Sequence, residues 1–290
     1  MLTIERLNPT TLPAYLLLVK PALRRPVLEQ VANPSLCVWG AAFWGQPAGA
    51  AVVTLGSSAD LLDLYVLPAY RRAGIASTLL ATIESELAHH AVAEMQALYR
   101  ADEHTDAWHG LLTKAGWGEP VLTSRVFWNC RTVQGAEWVA RYQFRAPYEA
   151  FTWSDLTAEE EAQIAKRGEE GWYPPHFSPF NRPMSAWDPE TSVGLRYKGE
   201  VVGWVLAVRE APDRLYVETM FVDPPLQGLG RGFMLVGEST RRYYSGDAGN
   251  YAYWRVHPDN QPMIQWSRRA FGEHLVDEYD EWYSKKVLTR

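Results

Sequence analysis

The chain says nearly the same thing twice, and this repetition constrains its fold more than any single motif does. FWGQPAGAAVV in the first half and RYKGEVVGWVLAV in the second each place two glycines four apart, Gly45 and Gly49 against Gly199 and Gly203, ahead of an apolar run. That is the pattern of a hairpin with a tight turn, repeated at a spacing of 154 residues (45 to 199). LLDLYVLPAYRRAGIAS is matched by ETMFVDPPLQGLGRGFM, with Gly74 and Gly230 lying 156 residues apart. Arg100 of ALYRADEHTDAWHGLLTKAGW is matched 155 residues later by Arg255 of YWRVHPDNQPMIQWSRRAF. Three consecutive features at one spacing predict two copies of one domain. We place them at 1–135 and 151–290, with 136–150 as a linker or connecting strand.

Each copy reads helix, hairpin, strand, glycine loop, helix, strand, helix, strand. After the first loop, Ile75, Leu79, Leu80, Ile83 and Leu87 fall on one helical face, with Glu84, Glu86 and His89 elsewhere. DLLDLYV and LYVETMFV, which precede the loops, are rich in bulky and β-branched residues and read as strands. The expected class is mixed α/β, with helices flanking an open sheet in each copy. At 47% hydrophobic and 21% charged residues, the 290-residue chain can fill two cores and leaves little for disorder. Its thirteen Trp and fifteen Tyr read chiefly as core filling.

A net charge of −6 argues against nucleic acid or an anionic membrane as the main partner, although Arg71-Arg72 and Arg241-Arg242 are local basic clusters suited to one anionic ligand. Cys37 and Cys130 are too few for a disulfide framework, which points to a reducing cytoplasm. The opening AYLLLV patch is too short to span a bilayer, lacks a cleavage-site pattern, and reads as the buried face of a first helix. His104 and His109 are not spaced as an i, i+4 pair and have no cysteine beside them, so we expect no metal there but a solvated surface.

A strand running into a glycine loop and then a helix presents free backbone N–H groups at a positive dipole end, which suits pyrophosphate. Neither loop is a P-loop, because GxxxxGK[ST] is absent, and neither is a dinucleotide-binding GxGxxG with its acidic partner. Both follow V-x-P and read [R/Q]-x-x-G-x-[G/A]. The first is Val66-Leu67-Pro68, then Arg71-Arg72-Ala73-Gly74-Ile75-Ala76. The second is Val222-Asp223-Pro224, then Gln227-Gly228-Leu229-Gly230-Arg231-Gly232.

On these motifs the chain resembles the GNAT superfamily of acyl-CoA-dependent N-acyltransferases, across both halves, in a tandem arrangement similar to that of mycothiol synthase-like proteins. The resemblance implies two GNAT-like domains, each a splayed mixed sheet flanked by helices. It implies that the loop amides bind the pyrophosphate of coenzyme A, in one half or in both, with acetyl-CoA as the donor and no metal. The pantetheine would then pair with the strand before each loop, placing the thioester near Leu64, Tyr65 and Val66 or near Met220, Phe221 and Val222.

Family members often carry a basic carboxylate on that strand. Glu218, nine residues before Gln227, stands at such a position; its alternative is an ion-paired rim carboxylate. The first half has Leu62 at the matching place, with Asp60 and Asp63 nearby. Asn260 fits a family Asn that contacts the cofactor, where the first half has Thr105; either residue also suits a helix N-cap. The family's usual thiolate-protonating Tyr is replaced by Leu112 and Trp266, leaving Tyr243, Tyr244 and Tyr253 as substitutes. GWYPPHFSPFNRPM reads either as an acceptor-binding loop bearing Trp172, Tyr173, His176 and Phe177 or as a packed irregular segment. The acidic TAEEEAQ reads as a helix start. We expect catalysis in the second half on a small amine-bearing acceptor, by direct transfer, in a monomer or homodimer. The alternatives are a non-catalytic CoA-binding protein and catalysis in the first half.

Overall fold

Leucines dominate the run ahead of the first glycine loop and β-branched and aromatic side chains the run ahead of the second, and such bulky runs satisfy their backbone groups by pairing in sheets. A computed structural model of the chain describes residues 1–30, 35–246 and 249–288. Its strands are β1 (Leu2–Arg6), β2 (Leu36–Phe43), β3 (Gln46–Leu55), β4 (Ala59–Val66), β5 (Glu94–Arg100), β6 (Val121–Cys130), β7 (Tyr148–Thr152), β8 (Val193–Tyr197), β9 (Glu200–Ala211), β10 (Arg214–Val222), β11 (Tyr251–Val256) and β12 (Leu275–Val287). The α-helices are α1 (Pro21–Gln30), α2 (Ile75–His89), α3 (Thr105–Lys114), α4 (Glu137–Arg141), α5 (Ala158–Glu169), α6 (Arg231–Ser245) and α7 (Gln261–Phe271). Among the described residues no helix is long and apolar enough to cross a membrane.

The chain divides into two compact units, Met1–Thr123 with Asp280–Arg290, and Ser124–Tyr279. The two repeats therefore exchange their final strands. The end of β12 pairs antiparallel with β5 in the first unit, Glu281↔Arg100 to Val287↔Glu94, while β6 pairs with β11 in the second, Tyr251↔Cys130 to Val256↔Arg125. A contiguous division at 135 and 151 does not show this exchange. The expected linker 136–150 contains α4 and the start of β7.

In the first unit the strand order is β1-β2-β3-β4-β5-β12, and in the second β6-β11-β10-β9-β8-β7. Each sheet is mixed, because β4 runs parallel to β5 and β10 parallel to β11. These parallel pairings stop early, at Leu61↔Ala97 and at Val217↔Trp254, and the remainder of β4 and β10 has no strand partner on that side among the described residues. On their other side both strands bulge. The register jumps from Leu61↔Val53 to Asp63↔Val52 and from Val217↔Ala207 to Thr219↔Leu206, so Leu62 and Glu218 are the extra residues.

α2 buries Ile75, Leu79, Leu80, Ile83 and Leu87 on one face, as its periodicity predicts. Glu84 departs from that expectation: it is buried, accepting from Trp117 Nε1 at 2.6 Å and Lys286 Nζ at 2.5 Å. Paired in this way, a buried carboxylate escapes the cost of burial alone. AYLLL lies in a short 3-10 segment, Leu12–Leu18, and Val19 is its extended C-cap, ahead of α1. α5 begins with a capping box, in which Thr157 Oγ1 accepts from the Glu160 N–H and Glu160 Oε2 from the Thr157 N–H.

The segment before β8 is anchored by Asp188. Its N–H donates to Ala207 O at 2.7 Å, and its carboxylate takes Arg209 Nε at 2.6 Å and Thr191 Oγ1 at 2.7 Å. Burial alone would raise the Asp188 pKa, but these bonds overcome burial and hold it below the usual range. The stabilisation is therefore present above the ordinary carboxylate pKa and lost as pH falls through the folded value. Asp188→Asn is expected to cost about 2–3 kcal/mol at neutral pH. Denaturant unfolding at stepped pH should show this penalty shrinking below about pH 4.

Candidate functional site

Each loop is built the same way. Gly74 and Gly230 cap α2 and α6 in the left-handed conformation, at φ +78° and +79°. Two residues earlier the left-handed position recurs, filled by Gly228 (φ +74°) in the second unit and by Arg72 (φ +65°) in the first, where a side chain makes it less favourable. The R/Q position ties the loop to its strand. Arg71 Nε donates to Val66 O at 3.0 Å, and Gln227 Nε2 donates to Val222 O at 2.7 Å. The first-turn amides of α2 and α6 have no intrahelical acceptor, which leaves them for an anion.

In the second unit a cavity of about 790 Å³ runs from the bulge to the loop. Glu218, Met220, Phe221, Val222, Gln227, Gly228, Gly230, Gly232 and Asn260 line it. Leu229 and Arg231 are not on its wall: Leu229 is exposed, and Arg231 donates to Leu229 O and lies over the Tyr148 ring. Asn260 acts as the N-cap of α7, its Oδ1 accepting from Met263 N–H at 3.2 Å, while also facing the cavity. Glu218 sits in an ion pair, with Arg182 Nε 2.5 Å from its Oε2, so the rim-pair reading of this residue describes its geometry.

In the first unit Leu64, Tyr65 and Val66 end β4, Arg71, Arg72, Ala73 and Gly74 form the loop, and Ile75 and Ala76 open α2. Leu62 is exposed at the bulge. Asp60 accepts from Thr54 Oγ1 and Gln96 Nε2, and Asp63 from the Lys20 N–H at 2.7 Å. Burial raises the Asp63 pKa against the opposing pull of that N–H. Tyr99 Oη and His109 Nε2 are buried without a partner among the described residues, and burial pushes the Tyr99 pKa up to about 12. His109 packs at 4.7 Å against Trp282 rather than standing in solvent, because α3 turns it inward. Among the described residues no three His, Cys, Asp or Glu side chains gather as a metal site.

Several expected roles change. Trp172 and Tyr173 pack with Trp204 and Phe221 in a core cluster, and only His176 and Phe177 of that loop reach the cavity. Trp172 Nε1 is held by Asp223 Oδ1 at 2.8 Å. Arg241 and Arg242 both bind Glu238, so they are not an open anion cluster. Tyr243, Tyr244 and Tyr253 donate their hydroxyls to Tyr251 O, Asn129 Oδ1 and Glu210 Oε1, and burial raises all three pKa values. All three hydroxyls are thus already engaged as donors. Leu112 is wholly buried, and Trp266 lines the cavity.

Sequence reasoning missed Tyr142. A Cβ at Gly230 would come within 2.7 Å of the Tyr142 ring, whereas one at Gly74 would meet nothing within 4 Å. Tyr142 stacks on Phe233 (5.0 Å, 15°), while Trp138 meets Phe233 and Phe271 and donates to Ala270 O at 2.6 Å. Arg241 donates to Val139 O, fastening α4 to α6. Both loops have the form that suits a pyrophosphate, and they differ in that the Tyr142 ring stands beside Gly230 whereas the matching space at Gly74 is open. Removing that ring with Tyr142→Ala should tighten coenzyme A binding in the second unit by about 3–10-fold, the value of one aromatic stack. Calorimetric titration on a Gly74→Glu background checks it; weaker binding would mean the ring supports the ligand instead.

The sequence pattern of the Acetyltransferase (GNAT) family matches residues 6–117 and 146–272. Two solved structures share the fold along the whole chain. One is a tandem GNAT protein from the clavulanic acid biosynthesis pathway (TM-score 0.60, 17% identity, 100% of this chain and 99% of that one). The other is a GCN5-related N-acetyltransferase from Sphaerobacter thermophilus (TM-score 0.65, 17% identity, 100% and 96%). No curated protein matches in sequence. Two matched regions, two bulged and splayed sheets and two glycine loops make the conclusion plain: the chain belongs to the acetyltransferase (GNAT) family, with the family's domain present twice.

Proposed function

We propose that the second unit N-acylates a small amine, with acetyl-CoA as donor and Glu218 as general base. The observation that carries this reading is the bulge. Of two equivalent bulge residues, Glu218 is a carboxylate on the wall of the large cavity, and Leu62 has nothing to offer a proton. The acyl-CoA supplies an acyl group activated as a thioester. Backbone N–H groups of β10 beyond Val217, unpaired by β11, are suited to polarise its carbonyl. As the amine nitrogen bonds to the carbonyl carbon and the carbon–sulfur bond breaks, Glu218 takes the proton the nitrogen loses, directly or through water. The thiolate takes a proton from solvent. A thiol pKa near 8.5 makes this adequate without a tyrosine, in keeping with the engaged hydroxyls of Tyr243, Tyr244 and Tyr253.

A second reading, with chemistry in the first unit, is favoured by the open Gly74 loop and by the unpartnered Tyr99 hydroxyl and His109 ring nitrogen. Two substitutions separate the readings. Glu218→Gln should lower kcat about 100-fold or more while acetyl-CoA binding is retained, as loss of a general base does. Asp63→Asn should leave kcat within about twofold, since no base is removed from the working site. Thiol release in steady state measures both, and the reverse pattern assigns the chemistry to the first unit.

A further inference from the structure

We propose that Arg182 selects acceptors carrying a carboxylate next to the amine, α-amino acids being the simplest, with their nitrogen received by Glu218. This rests on the acyl-transfer reading of the second unit. The ion pair at the bulge is half-made. Arg182 uses Nε and Glu218 uses Oε2, at 2.5 Å, and among the described residues no hydrogen bond engages Arg182 Nη1 or Nη2, or Glu218 Oε1. The side chains are 44% and 21% exposed, and a pair this open contributes little to stability. What it leaves open is chemically specific: the planar end of a guanidinium, which grips carboxylates in a bidentate fork, beside a carboxylate oxygen that accepts from an amine.

An α-amino acid carries both complementary groups on one carbon. Entering between the two side chains, it would replace one direct ion pair with two, its carboxylate on Arg182 and its nitrogen on Glu218. Arg255 lies over the Tyr216 and Tyr253 rings at 5.2 and 5.3 Å on the cavity wall, with Glu210 accepting from the Tyr253 hydroxyl, so discrimination between an amino acid and a plain amine rests on the guanidinium fork of Arg182.

Arg182 is also held in place to act as a selector. Its segment is fastened by Asn181 Nδ2 to Pro175 O (3.0 Å), Trp187 Nε1 to Pro179 O (3.1 Å) and Trp204 Nε1 to Phe177 O (3.2 Å). His176 and Phe177 of the same segment line the cavity, where an acceptor side chain would meet them.

The test is thiol release from acetyl-CoA with the standard L-amino acids, their decarboxylated amines and aminoalkyl phosphates, using the full-length protein. At least one amino acid should be turned over with kcat/KM about tenfold or more above its decarboxylated amine, the effect of a charge-assisted hydrogen bond. Arg182→Gln should cut the preference for that amino acid over its decarboxylated amine about tenfold, chiefly through KM for the amino acid and on top of any change common to both that follows from Glu218 losing its partner, and Arg182→Lys should restore part of the preference. Calorimetry should show the N-acetyl amino acid bound by the unaltered protein and not by Arg182→Gln. Equal or better turnover of plain amines or phosphates, equal losses on amino acid and amine, or no acetylated amino acid from a protein that binds acetyl-CoA would each overturn the inference. Failure to bind acetyl-CoA at all would instead overturn the acyl-transfer reading, and the inference with it.

Discussion

Everything at the site depends on a pairing that stops. β10 runs alongside β11 only from Arg214 to Val217, and β4 alongside β5 only from Ala59 to Leu61. Beyond those points one edge of each strand has backbone groups without a strand partner, and such groups must be met by solvent or a ligand. The bulge on the opposite edge, at Glu218 and at Leu62, coincides with the last rung of parallel pairing. It redirects one side chain and adds local twist where the strands part. The opening, the loop and the helix dipole behind it are thus consecutive consequences of one short stretch of chain.

Given a common frame, the two units have diverged in complementary ways. The first keeps an open loop but has an apolar residue at its bulge, and it tolerates Arg72 in a left-handed conformation. The second keeps the carboxylate and the cavity but lays Tyr142 across its loop. A duplicated domain can lose a function from one copy while the other retains it, and the two bulges differ in that one bears a carboxylate and the other an apolar side chain.

Much of this was legible in the sequence because it rests on local chemistry. Left-handed capping positions call for glycine, so Gly74, Gly228 and Gly230 announce the loops, and a 3.6-residue period announces the buried face of α2. The spacing of Glu218 and Leu62 from their loops found both bulge residues. What was not legible depends on partners far away in the chain. Glu84 looks like a solvated charge until Trp117 and Lys286 close on it. Trp172 and Tyr173 have the composition of a pocket wall and the contacts of a core. Tyr142 lies in a stretch that reads as a linker, and nothing local indicates that it reaches Gly230. The strand exchange is invisible for the same reason, because a repeat in sequence says nothing about which copy's last strand completes which sheet.

The most direct test of the account is calorimetric titration with acetyl-CoA of the unaltered protein, Gly230→Glu and Gly74→Glu, with turnover measured on the same samples. The account predicts that Gly230→Glu abolishes turnover together with one binding event, and that Gly74→Glu leaves turnover intact. Turnover that survives Gly230→Glu and disappears with Gly74→Glu would contradict it and assign the chemistry to the first unit.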